Sequence, residues 1–274
     1  MDASAIKEIQ SAHAFAAINA ALASGAPSVA MPSEFNVVST EEFMPIRRRA
    51  RGTMLTTHLG SFADYVEAFK QTGTKTFVSP RRMTATAVLN LGTTEAPGHA
   101  DDCARFAPEQ TAAYQALLAF VAGAQTQKKA AEFFEDWAYQ VQFFEDTEVI
   151  PPAQAVAAIR NITIEAVRKK ETTVSNLSVQ QSAFESIQAS SKSSIPTLIY
   201  FKCQPYDVLE GRVFVMRLSI LTSEQQPTLR LRIVKHEGHI EEMAKELAAK
   251  VRTGLGANSA AHADVLIGEY SVMK

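Results

Sequence analysis

Between Ile195 and Lys235 apolar and polar residues alternate in three successive runs of strand length. Ile199, Phe201 and Cys203 recur at every second position, then Phe214, Met216, Leu218 and Ile220, then Leu229, Leu231 and Ile233. Successive side chains of a strand point to opposite faces, so each run builds one apolar face, which a helical period would scatter around a cylinder. Gln204-Pro205-Tyr206-Asp207 with Glu210-Gly211 breaks the first connection and Ser223 to Pro227 the second. Both are turn chemistry and too short for crossover helices, so the three strands read as an antiparallel meander. Ile240, Met243, Leu247 and Val251 follow at helical spacing, a stripe long enough to cover the apolar face. The opposite face carries Tyr200, Lys202, Arg217, Arg230 and Arg232, which water or a partner must solvate.

The fold class expected is α+β: this meander covered by helices, preceded by an N-terminal helical arm and a smaller α+β unit. Ile6, Ile9, Phe15, Ile18 and Leu22 give one stripe over residues 4 to 24, and a small-residue, proline-containing linker separates that arm, 1–34, from the rest. In residues 35–150 the reading is an extended stretch centred on Arg47, Arg48, Arg49 and Arg51, a helix capped by Ser61, and strands at 75–78 and 84–91. Those strands flank the turn Ser79-Pro80-Arg81-Arg82. A polar loop from Gly92 to Ala107 leads to a helix opened by Pro108 and Glu109. Thr126 caps a further helix with the aromatic stripe Phe133, Phe134, Trp137, Val141 and Phe144. Pro151-Pro152 marks the expected boundary to residues 151–274, which add a helix from Ala153 to Lys170, a strand pair over 173–188, the meander and a last strand at 265–272.

The order of these pieces resembles the phage and prophage family typified by YfdQ, a family of unknown function. The residues that carry the likeness are Ser61-Phe62-Ala63-Asp64-Tyr65, Ala87-Val88-Leu89-Asn90-Leu91, the Gly98-His99 loop, Ala130-Ala131-Glu132-Phe133-Phe134-Glu135-Asp136, and Phe201 to Tyr206 followed by Phe214-Val215-Met216-Arg217-Leu218. The resemblance covers residues from about 50 to 250 and implies a phage origin and action in a bacterial cytoplasm. It supplies no catalytic residues.

Composition narrows the chemistry. Charges nearly cancel, 27 basic against 29 acidic, so any polyanion must meet a local patch rather than the whole surface. Cys103 and Cys203 lack disulfide-framework or zinc spacing, in keeping with a reducing compartment and two packed thiols. No apolar run approaches membrane-spanning length, so neither a membrane partner nor a location outside the cytoplasm is expected. His99, Asp101, Asp102 and Cys103 are metal-ligand types, but too crowded for four bonds to one ion. His236 and His239 stand near Glu237, Glu241 and Glu242, which dipole complementation at a helix start also explains. HExxH, phosphate-loop and GxSxG signatures are missing, so a non-catalytic protein with no cofactor is expected.

Two functions stand against each other. The first is a nucleic-acid-binding accessory of phage DNA metabolism, with single strands held by Tyr200, Lys202, Arg217, Arg230 and Arg232 and by Arg47, Arg49, Arg51, Arg81 and Arg82. Lysines and arginines also line the wet side of sheets that bind nothing. The second is an anti-defence protein that binds or sequesters a host defence component or its signal. Either would act as a homo-oligomer of more than two chains, through the N-terminal helix, the last strand and the aromatic helix.

Overall fold

The structure, a computed structural model, describes residues 3–24, 41–145, 147–162, 195–221, 227–256 and 265–271. The chain falls into two units, residues 1–50 and 51–274. In the first, α1 (Ala3–Ala23) is the expected helix, its alanines supplying propensity while Ile9 and Phe15 stay largely exposed. A single 3-10 turn spans Glu41–Phe43, and Arg47, Arg48 and Arg49 follow in irregular chain, not in the strand that would have aligned them.

The second unit runs β1 (Gly52–Thr56), α2 (Leu59–Phe69), β2 (Lys75–Ser79), β3 (Thr84–Val88), β4 (Asp102–Phe106), α3 (Ala112–Val121), β5 (Gln125–Thr126), α4 (Gln127–Asp136), β6 (Val141–Glu145), β7 (Glu148–Ile150), α5 (Pro152–Arg160), β8 (Leu198–Cys203), β9 (Arg212–Leu221), β10 (Thr228–Ile233), α6 (His236–Gly254) and β11 (Val265–Ile267). These build two sheets over one continuous core, an α+β architecture. The first sheet has the order β1-β4-β3-β2-β11, with β1 parallel to β4 and β11 parallel to β2. The second has the order β5-β10-β9-β8-β6-β7 and is antiparallel throughout.

The meander forms as its alternation dictates. Ile199, Phe201, Phe214, Met216, Leu229 and Leu231 are all buried, and Leu231 stands directly opposite Leu218. The helices that cover this face are α3 and α4, not chiefly α6. Their aromatic side chains interleave with the strands: Tyr114 stacks on Phe214 at 5.2 Å, Phe133 on Phe201 at 5.9 Å, and Phe134 meets Phe143 edge-on at 5.1 Å. Met243, Leu247 and Val251 of α6 are buried as expected, but α6 packs against β2, β3, β11 and α2 of the first sheet. It reaches the meander through Arg212 and Phe214 of β9.

Four local expectations are corrected. The helix after β1 starts at Leu59 behind His58, so Ser61 lies inside it and caps nothing. The Gly92–Ala107 loop contains a strand, β4, because Asp102, Ala104 and Phe106 turn inward while the Asn90 side chain accepts from the Asp102 N–H and donates to Asp101. The helix expected at Pro108 is capped by Thr111, whose hydroxyl accepts from the Tyr114 N–H. The aromatic helix ends at Asp136, and Val141 and Phe144 belong to β6. Thr126 does cap α4, as expected. Strands from both sides of Pro151-Pro152 pair within each sheet, β6 with β8 and β2 with β11. The expected segments 163–170 and 173–188 lie outside the described residues. No helix among those described is long and apolar enough to cross a membrane.

Candidate functional site

With α3 and α4 on one side of the second sheet, its other side is where Tyr200, Lys202, Arg217, Arg230 and Arg232 come together. Strand alternation puts Tyr200 and Lys202 of β8, Arg217 of β9, and Arg230 and Arg232 of β10 on this face; all but the half-buried Tyr200 are exposed. The register sets Arg217 directly opposite Arg232, and Arg230 opposite Ser219. Cross-strand like charges repel, and no ion pair among the described residues involves Arg217, Arg230 or Arg232. The β9–β10 half of the face is therefore a concentrated positive field.

Toward β6 and β7 the face becomes apolar. The rung through Arg217 continues into Leu198, Phe144 and Val149. Tyr200 stands opposite Gln142, and its ring meets that of Phe144 at 4.5 Å with a 42° tilt. Phase is what hid Phe144 in the sequence: its spacing from Val141 and Trp137 fits a helix, while its alternation with Phe143 fits a strand. The face thus pairs guanidinium groups with a partly accessible ring pair.

The other expected cations lie elsewhere. Arg81 and Arg82 are exposed in the β2–β3 turn of the first sheet, where Arg82 Nε lies 3.9 Å from the Glu269 carboxylate. Arg51 is exposed just before β1, while Arg47 and Arg49 belong to the other unit.

Burial pushes the Cys203 thiol up to about 12, and Cys103 is also raised, chiefly by burial and then by Asp102. Both thiols are free. His239, 5.0 Å from the Phe214 ring, is held below the usual imidazole range by burial first and by Arg212 among its neighbours. Among the described residues no group of three or more His, Cys, Asp or Glu is placed to hold a metal ion.

A family model matches residues 2–270, so the chain belongs to the family described as Uncharacterized conserved protein (DUF2303). No curated protein and no solved structure matches it.

Proposed function

We propose that this is a phage-encoded, non-catalytic, self-assembling protein of the bacterial cytoplasm that binds single-stranded nucleic acid on the open face of the second sheet. The observation that carries the reading is the opposed pair Arg217 and Arg232, flanked by Arg230 and next to the Tyr200–Phe144 rings. Repulsion between those guanidinium groups costs stability in the free protein and is relieved when phosphates lie between them. The partly accessible ring of Tyr200 offers a base a stacking surface, which an unpaired strand can use and a closed duplex cannot.

The reading is tested by fluorescence anisotropy with labelled single-stranded and duplex DNA at two salt concentrations. Lys202, Arg217, Arg230 and Arg232 together set a salt slope of about −3, so affinity for the single strand should fall about fiftyfold from about 50 to about 200 mM salt. Changing Arg230 and Arg232 to Ala should halve that slope. Binding no tighter than about 10 μM at low salt would overturn the reading. A second reading, an anti-defence protein that binds or sequesters a host component, is favoured by the exposed apolar side chains of Val149, Val213 and Leu221 beside the cations. It predicts no DNA binding at moderate salt and a host defence protein retained on pull-down from infected cells.

A further inference from the structure

β1 ends the first sheet on one side, and its register leaves half of its backbone groups facing outward. The Gly52 N–H donates to the Asp101 carbonyl at 2.9 Å and the Thr56 carbonyl accepts from the Ala107 N–H at 3.0 Å, so residues 52, 54 and 56 bond to β4. The intervening residues of a strand aim their N–H and C=O groups at its other edge. Those of Thr53 and Leu55 therefore point out of the sheet, and no strand among the described residues pairs with them. Thr53 is exposed, and the Leu55 side chain is 70% exposed. Charge, proline and bulges are the devices that keep an edge from pairing, and β1 carries none of them.

The helical layer is open on the same flank. α2 packs over β1 and β4 and buries Phe62 and Val66. To one side of that buried stripe Leu59 comes close to Gly254 of α6. Helical pitch puts Tyr65 and Phe69 on the other side, toward the edge of β1. Their rings lie 4.5 Å apart, and that of Phe69 is 51% exposed. Among the described residues this flank lacks both a strand beside β1 and a helix beside α2.

We infer that the β1–α2 flank is a contact between two copies of this chain, related by a two-fold axis at Met54. The inference rests on the self-assembly read above and uses neither the N-terminal helix nor the cationic face. Antiparallel pairing about Met54 lets Thr53 of each copy exchange backbone hydrogen bonds with Leu55 of the other, which joins the two first sheets into one. Leu55 then covers Thr53 of the second copy on the outer face, and the two copies of Met54 meet on the inner face. Strands lie about 4.8 Å apart and α2 stands over β1 and β4, so the two α2 helices approach to about 10 Å with Tyr65 and Phe69 between them, a packing distance for helices. A foreign strand would satisfy the backbone edge alone, whereas a second copy supplies the strand and the helix together. An edge about 17 Å long and two layers deep removes on the order of 600 Å² from each copy, the low end for a specific dimer, so the contact dissociates in about the micromolar range.

Sedimentation velocity of the full chain over a range of concentrations tests the contact. Thr53→Pro deletes an N–H that the fold does not use, at an edge position where proline is tolerated, and should weaken association at least about tenfold. Leu55→Lys should do the same by placing a charge on the edge, and because Leu55 is exposed this variant folds even if Thr53→Pro does not. Met54→Cys sets the new thiol opposite its own copy, about 4.5 Å away between Cα atoms, and oxidised glutathione should convert it to a disulfide-linked dimer that the parent, with only Cys103 and Cys203, does not form. Association unchanged in both edge variants, or no covalent dimer from Met54→Cys, overturns the contact while self-assembly stands through another surface. A parent that stays a single chain at every concentration overturns both and leaves the edge to a strand of another protein.

Discussion

Arg212 opens β9 and reaches across to α6, and its removal is the sharpest test of how the meander is fastened to that helix. Its Nη2 donates to Glu246, its Nη1 lies 4.0 Å from Glu242, and its Nε is buried without a partner. The Arg212 side chain is 16% exposed and that of Glu246 20%, so neither charge is at the surface in the ordinary sense. Breaking a fully buried ion pair by deleting one partner costs about 3–5 kcal/mol, because the survivor is stranded. Here Glu246 keeps the Glu210 N–H as a donor at 2.5 Å and some contact with water, which reduces the expected cost of Arg212→Met to about 2 kcal/mol. Arg212→Ala also loses the packed stem and should cost about 3 kcal/mol. For a chain of this size these losses lower Tm by about 4–12 °C. Urea denaturation of Arg212→Met, Glu246→Gln and the double variant closes a cycle in which the coupling should be about 1–2 kcal/mol. A coupling below about 0.3 kcal/mol, with Arg212→Met as stable as the parent, would show that the link behaves as a solvated surface pair and that α6 is held by its apolar face alone.

Leu231→Asp places a carboxylate under α3 and α4, where Leu231 is 1% exposed, and should cost at least about 3 kcal/mol; an unchanged melting temperature would refute that cover. His239 resists the proton that the unfolded imidazole accepts near its ordinary value of about 6.5, so stability should decline as pH falls through that value toward the lower folded pKa. In urea titrations at several pH values, His239→Gln should flatten that decline, and an unaltered profile would refute it. Mass photometry should show more than two chains together, and deletion of residues 1 to 28 should shrink the assembly; a single-chain mass at micromolar concentration would refute it.

The meander was legible because one constraint repeats: Phe214, Met216 and Leu218 have to share a face whatever covers it. What covers it was not legible, since Met243 and Leu247 make an apolar stripe that fits either sheet, and the choice is settled by β11 returning to β2. β4 escaped because Asp102 is polar and Ala104 small, so only Phe106 announced an inward face; the side chain of Asn90 supplies the polar partners in its place. The exposed cations of the second sheet could be read from alternation, and the residues beside them could not. Phe144 was in phase with a helix.

The pairing of β11 with β2 also has a temporal meaning. Val265 lies beside Thr76, roughly 190 residues later in the chain, and β5 waits roughly 100 residues for β10. Neither sheet can close until its late strand has emerged from the ribosome, so the hydrogen-bonding edge of β2 that β11 covers stays unpaired while those roughly 190 residues are made. During that interval the edge is open to the same strand of another nascent copy. Assembly during translation and misassembly would both begin there.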